Sequence, residues 1–258
     1  MAGEASHAKE QHMTTEKPEQ TADVVSLSGN PIYRHAEPAP WSAPQGEEFI
    51  QQISDHIEQH LGPVDAVFHE LVSDTVHIDV HIVKPTAAFP FTRLVTSGMS
   101  DLPMSTPDEM DVPRYVELMI TLPADWKTDQ SSFEDDSWYW PVRLIKQLAR
   151  LPHKYRTWLG YGHTIPNGDP AEPYAANIAF CGAIILPPVS APEDFHTLDI
   201  PGGKSVTFYS VVPLHANEMA FKLRLGADKL LEKFDRKGFS DVVAPDRADV
   251  TAKRFLLW

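Results

Sequence analysis

Four runs in which apolar residues alternate with polar ones, all between residues 65 and 122, constrain the fold of this chain more than any other feature. In order they read DAVFHEL, TVHIDVHIV, FTRLVT and RYVELMITL, and Ser, Asp, Pro and Gly signals separate them. A period of two is typical of β-strands, because successive side chains of a strand point to opposite faces of the sheet. The sequence therefore predicts four successive strands, each with an apolar face and a polar, half-solvated face.

A helix is predicted immediately before these strands, in residues 42–63. Ser42 is a candidate N-cap, and Gly62 followed by Pro63 ends the pattern. The apolar side chains of this segment fall on one helical face, namely Phe49, Ile50, Ile53, Ile57 and Leu61.

A second helix is predicted in WYWPVRLIKQLARLPHKYRTWL, with Pro152 interrupting or kinking it. The glycines and prolines of residues 160–173 predict a long loop. The continuous apolar run NIAFCGAIILPP that follows is typical of a strand covered on both faces, and the lone Cys181 fits there as a small buried side chain.

The remaining segments predict two strands around a Gly202-Gly203 turn and then two helices that meet near Gly226. Together the elements predict a single α/β domain with a mixed, mainly antiparallel sheet and helices packed against it. Residues 1–41 are polar and lack sustained periodicity, so they are predicted to be a flexible leader to a domain formed by residues 42–258.

The formal net charge of −14 disfavours nucleic acids and anionic membranes as partners and favours basic proteins. No stretch reaches the roughly 18 consecutive apolar residues of a membrane-spanning helix, and the polar start lacks the apolar core of a signal peptide. The sequence therefore predicts a soluble, cytoplasmic protein.

The segment HIDVHIV places His77, Asp79 and His81 at every second position of one predicted strand. Imidazole and carboxylate groups are common zinc ligands, so a metal-dependent enzyme centred on these three residues is one hypothesis. Positions four apart on a strand are separated by about 13 Å, however, so the two imidazoles cannot easily share one ion. The alternative is an ordinary strand with polar side chains on its solvent face, and we predict no metal site.

Other catalytic signatures are incomplete. Ser97 in TSGMS lacks the G-x-S-x-G context of a nucleophile elbow, PGGK is too short for a phosphate loop, and GYGHTIPNG lacks a third glycine. No catalytic residue, cofactor or small-molecule substrate is therefore predicted.

Five segments, in this order, resemble the suppressor of fused domain and particularly its bacterial form over roughly residues 47–238. They are HIDVHIVKPT, LVTSGMSDLPM, RYVELMITLPADW, WPVRLIKQLARLPH and VVPLHANEMAFKLRLGADKLLEKF. The resemblance implies a compact α/β domain that binds other proteins, without a cofactor or established catalysis. For bacterial relatives it implies an immunity protein that neutralises a toxin, and a regulatory binder of another cytoplasmic protein is the alternative.

The resemblance also singles out Asp79 and the later Pro85-Thr86, while the positions of His77 and His81 are free to vary. Asp79 is expected to bond the backbone or hydroxyls of the TSGMS segment, and Gly98 is expected to allow a backbone conformation that a Cβ would obstruct.

A partner-binding surface is predicted in the loop of residues 99–112, where adaptable methionines and acidic groups suit a basic protein such as a toxin domain. The candidate contact residues are Met99, Asp101, Met104, Asp108, Glu109 and Asp111. The aromatic residues Trp138, Tyr139 and Trp140 are a second candidate surface, although core packing of the following helix explains them better.

Overall fold

The computed structural model describes residues 24–35, 37–40, 42, 49–69, 75–238 and 240–252. The strands are β1 (Val24–Val25), β2 (Pro31–Ile32), β3 (Val64–Phe68), β4 (Asp79–Val83), β5 (Phe91–Ser97), β6 (Tyr115–Pro123), β7 (Thr164–Pro166), β8 (Gly182–Leu186), β9 (Thr197–Ile200) and β10 (Lys204–Leu214). The α-helices are α1 (Ile50–Leu61), α2 (Asp136–Lys154), α3 (Ala216–Leu225) and α4 (Ala227–Asp235), and short 3-10 helices lie at Met99–Asp101, Ser132–Glu134 and Glu193–Phe195.

The four alternating runs form the first half of a mixed sheet, as predicted. Within the described residues the strand order is β3-β4-β5-β6-β10-β8-β7, with β9 paired to β10. All pairs in this sheet are antiparallel except β6 with β10. The predicted α/β fold with a mainly antiparallel sheet is therefore confirmed.

Helices cover both faces of this sheet. On one face, α2 packs on apolar residues of the meander such as Val80, Leu118 and Ile120. On the other face, α1 packs on Val83, Val95 and Met119, while α3 and α4 cover strands β8 and β10. The central strands therefore lie between two layers of helices.

This covering corrects the prediction of half-solvated strands. Every residue of β4 is buried, and Glu117, Met119 and Thr121 on the expected polar face of β6 are fully buried. The physical reason is that α1 and the segments around it occupy the face that the alternation assigned to solvent.

The first helix begins later than the sequence predicted. Its first helical residue is Ile50, and Phe49 holds the N-cap position without a side-chain cap, so Ser42 is not the N-cap. Ile50 is exposed, whereas Ile53, Ile57 and Leu61 face the core. Gly62 ends the helix as predicted.

The later elements follow the predicted order. Strand β8 is buried throughout, β9 and β10 form a hairpin around Gly202 and Gly203, and Gly226 separates α3 from α4. Helix α2 continues through Pro152 to Lys154, and the predicted loop of residues 160–173 contains the short strand β7.

A C-terminal segment completes the domain. Val243 donates its backbone N–H to Thr121 O over 2.8 Å, just beyond the last pair of β6 with β10, which is Met119 with Ser210. Arg247 then forms a buried ion pair with Glu218 of α3, with Nη2 and Oε2 2.8 Å apart. The segment is therefore fastened to both the sheet and a helix.

Residues 1–23, 36 and 41 of the predicted leader lie outside the described residues, as do residues 43–48, 70–74, 239 and 253–258 of the predicted domain. The described part of the leader includes the β1-β2 hairpin. Ser28 N donates to Leu223 O over 3.1 Å and Ala39 N donates to Lys154 O over 2.6 Å, so these residues contact α3 and α2. Among the described residues, no helix is both long and apolar enough to cross a bilayer.

Candidate functional site

Polar side chains gather at one end of the sheet. The register pairs Asp79, the first residue of β4, with Ser97, the last residue of β5. It also pairs Tyr115, the first residue of β6, with Val206 near the start of β10. These four strand ends therefore lie at the same end of the sheet. The 3-10 turn of Met99–Asp101 and the following loop leave the sheet at the same end. We call this region the polar end of the sheet.

Gly98 makes the turn at the polar end sterically feasible. Its φ angle is +100°, in the region that favours glycine, and a Cβ built on it would lie 1.7 Å from the carbonyl oxygen of His77. Because the obstructing atom belongs to the backbone, it cannot rotate away. Any side chain at position 98 would therefore require the backbone of this turn or of His77 to move.

Glu117 is the carboxylate that fixes the TSGMS segment. Thr96 Oγ1 donates to Oε2 over 2.5 Å, while the N–H and the hydroxyl of Ser100 donate to Oε1 over 2.9 and 2.7 Å. Glu117 is fully buried, and this burial raises the pKa of its carboxyl above the ordinary value, although the hydrogen bonds oppose the shift. No sequence signal indicates this role, because a Glu at a polar position of an alternating strand is ordinary.

Two side chains from other elements hold the 3-10 turn, one from α2 and one from the start of β10. His153 of α2 donates through Nε2 to Met99 O over 2.8 Å, and Lys204 Nζ donates to Ser100 O over 3.1 Å. The Lys204 ammonium also lies 3.8 Å from the centre of the Phe49 ring. The turn that starts the predicted partner loop is therefore a rigid base.

Asp79 connects the residue that follows β3 to the segment that precedes β4 through two hydrogen bonds. Its carboxylate accepts hydrogen bonds from His69 Nδ1 at 2.8 Å and from His77 Nε2 at 3.0 Å. Asp79 is buried, whereas the two imidazoles are at least partly exposed. His77 precedes the first residue of β4, so the three residues of the motif do not share one strand.

His81 belongs to a different contact from Asp79. Its Nε2 lies 2.9 Å from Ser97 Oγ, and burial lowers the pKa of the imidazole to about 4, so the ring is neutral at physiological pH. Within the described chain, no hydrogen-bond partner reaches His81 Nδ1, where a catalytic histidine has its orienting carboxylate. Both side chains are almost fully buried, so a substrate cannot reach this pair.

The hypothesis of a metal-dependent enzyme has no geometric support in the described ranges. No three or more His, Cys, Asp or Glu side chains there are arranged to hold a metal ion. His77 and Asp79 bond to each other, and His81 bonds to Ser97 instead.

Burial divides the six candidate partner residues into two groups. Met99, Asp101 and Met104 are 0%, 8% and 1% exposed, which corrects the expectation that these side chains are available to a partner. They are buried because the first part of the loop folds back against α2 and β6. Three acids remain exposed around the exposed Met110, namely Asp108, Glu109 and Asp111.

The aromatic candidates are mainly structural. Trp140 is fully buried and stacks on Tyr174 with ring centres 5.4 Å apart. Trp138 and Tyr139 are half-buried, and Trp138 packs edge-on against Trp126. Core packing therefore accounts for Trp140, while Trp138 keeps an accessible part.

The raised pKa of Glu117 predicts a specific pH dependence. A carboxyl with a higher pKa in the folded than in the unfolded protein stabilises the fold below its ordinary pKa of 4.5, and this contribution is lost as pH rises through the folded value. Relative to E117Q, the wild type should therefore lose free energy of unfolding above pH 4.5, by up to about 1.4 kcal/mol per pH unit. Urea unfolding of both proteins over a pH series measures this difference.

Asp135→Asn is the control of opposite sign for this pH series. The pKa of Asp135 is lowered, first by the hydrogen bond from Ser137 N, so its contribution to stability is lost as pH falls. A difference between wild type and E117Q that is independent of pH would contradict the role of Glu117 burial.

Comparison with known proteins assigns this chain to a family. The sequence profile described as Suppressor of fused protein (SUFU) matches residues 74–248, which include the polar end of the sheet. No curated protein sequence matches the chain.

Three solved structures share the fold. A putative SUFU homologue from Neisseria gonorrhoeae FA 1090 superposes with a TM-score of 0.58 at 18% identity, covering 79% of this chain and 97% of that one. A chain of the Sufu-Fu complex superposes with a TM-score of 0.56 at 15% identity, covering 80% and 93%. Drosophila Suppressor of Fused gives 0.52 at 13% identity, and the match covers 82% of this chain but 52% of the Drosophila chain.

The profile match spans more than half of the chain, and the fold superposes on solved structures of suppressor of fused proteins. The chain therefore belongs to the suppressor of fused family.

Proposed function

We propose that this domain binds another protein through the acidic loop of residues 108–111, and that it acts as a cytoplasmic immunity protein against a basic toxin domain. The observation that carries the proposal is an exposed acidic loop on a rigid, buried base. Asp108, Glu109 and Asp111 are exposed, and the turn of Met99–Asp101 from which their loop leads is held by Glu117 and other interior groups.

Charge complementarity supports a basic partner. The chain has a net charge of −14, so its field attracts cationic surfaces, and acidic groups on an exposed loop accelerate association with them. Met110 is 49% exposed between these acids and supplies an adaptable apolar contact. A solved structure of a related chain is itself a complex, the Sufu-Fu complex.

Reversing the charge of the loop should abolish partner capture. We expect D108K/E109K/D111K to bind the partner at least about tenfold more weakly than the wild type, because three attractive charges become repulsive at the interface. The tagged full chain is expressed in its native host, the retained protein is identified, and its affinity for purified wild type and variant is measured by calorimetry.

The matched control is D169K/E172K/D235K, which makes the same change in net charge at three other exposed acids. This variant should retain the partner. Equal capture by the loop variant and the control would overturn the binding site. Expression of the captured protein alone then tests the immunity role, since arrested growth that the wild type relieves supports a toxin, and normal growth favours a regulatory binder.

A further inference from the structure

A cleft of about 380 Å³ lies beyond the C-terminal end of β6, at the opposite end of this strand from Glu117. Its walls include Trp126, Trp138 and Ile178, and its rim includes Asp125 and Asp246. This cleft therefore combines aromatic surface with two carboxylates, and it shares no residue with the acidic loop.

The aromatic wall is held rigidly. The rings of Trp126 and Trp138 meet edge to face with centres 5.2 Å apart, and Trp126 Nε1 donates to the backbone oxygen of Trp138 over 3.1 Å. Trp126 is almost fully buried, whereas Trp138 is half-buried and presents part of its indole at the surface. A rigid indole that is partly accessible suits binding, because little conformational entropy is lost when a ligand contacts it.

The indole of Trp138 already has a cation over it. The ammonium of Lys127 lies 5.0 Å from the ring centre, within the distance at which a cation is attracted to the negative face of an aromatic ring. Lys127 is exposed, so its side chain can leave the ring when another cation competes for it.

The rim of the cleft is negatively charged. Asp125 follows the end of β6, Asp246 belongs to the C-terminal segment, and both residues are exposed. Among the described residues that line this cleft, none carries a positive charge. A planar cation that entered it would meet an indole and carboxylates from two separate segments.

We propose that this cleft binds an arginine side chain of a partner protein, with the guanidinium against Trp138 and its N–H groups directed to Asp125 and Asp246. Arginine fits better than lysine because its planar, weakly hydrated cation stacks on indole and donates to carboxylates with fixed geometry. The surface is a second contact, distinct from the acidic loop, and it stands whether or not the partner is a toxin.

The test uses the full chain and a blocked pentapeptide, Gly-Gly-Arg-Gly-Gly, with its citrulline counterpart as the neutral control. NMR of isotope-labelled indole N–H groups follows the titration, and the W138L variant assigns the Trp138 resonance. The arginine peptide should shift the resonances of Trp126 and Trp138 in a saturable manner, and the citrulline peptide should not. Equal shifts with both peptides, or no shift with either, would overturn the proposal.

Variants of the cleft distinguish specific binding of the arginine peptide from its general electrostatic attraction to an acidic protein. D125N/D246N should weaken binding of the arginine peptide about two- to fivefold, whereas D169N/E172Q, with the same change in net charge, should leave it unchanged. Lys127→Met should strengthen binding, since it removes the competing ammonium from Trp138. Weaker binding to the Lys127→Met protein, or an equal loss in both acid variants, would contradict the proposed site.

Discussion

Replacing Gly98 by alanine should destabilise the domain by about 3 kcal/mol or more, the largest effect expected from adding a Cβ to any glycine that the structure describes. The added Cβ would stand 1.7 Å from His77 O, and the φ of +100° is already unfavourable for alanine. To relieve this clash, the turn must separate from the segment before β4. This movement would disturb the hydrogen bonds between Ser100 and Glu117. Thermal and urea unfolding of wild type and G98A measure the loss.

Gly203→Ala is the matched control for this experiment. Gly203 also has a positive φ, of +90°, but no heavy atom outside its neighbours lies within 4 Å of a Cβ built there. This variant should lose only about 1 kcal/mol, which is the conformational part of the effect. Similar losses in G98A and G203A would show that the close approach at His77 is relieved without cost.

Replacing Glu218 by glutamine should destabilise the domain by about 3 kcal/mol, because it breaks a buried ion pair and leaves the Arg247 charge uncompensated. Glu218 is fully buried, and its carboxylate accepts from both Nη atoms of Arg247 and from the N–H groups of His215 and Val250. Three of these contacts connect α3 to the C-terminal segment and the fourth caps α3, so all of them depend on one side chain. Urea unfolding measures the stability, and hydrogen exchange at Val250 reports whether that segment detaches.

Glu232→Gln is the control for the ion pair. Glu232 also contacts two cations, Lys229 and Arg236, but it lies at the surface of α4, where solvent screens the attraction. Its replacement should leave the midpoint of urea unfolding unchanged. Wild-type stability of E218Q would show that the pair with Arg247 makes no net contribution.

The candidate surfaces were only partly predictable. The exposure of Asp108, Glu109 and Asp111 was predictable from composition, since charged loop residues stay solvated regardless of how the preceding turn packs. The burial of Met99 and Met104 was not, because methionine is as common in cores as on adaptable surfaces. The arginine cleft needed the tertiary structure, since Asp246 lies more than a hundred residues from Trp138 in the chain.

The sequence by itself determined the type and order of most elements, and with them the mainly antiparallel α/β fold. The four alternating runs, the glycine stops and the apolar run of β8 depend on near neighbours in the chain, so they could be read without knowing what packs on them. Only the tertiary structure decided what the polar residues of the strands do. Glu117 and His81 occupy positions that alternation assigns to solvent, and they are interior because α1 and the segments around it cover that face. Whether such a face is covered depends on long-range packing, and it is this packing that turns an ordinary strand glutamate into the residue that holds the turn of Met99–Asp101.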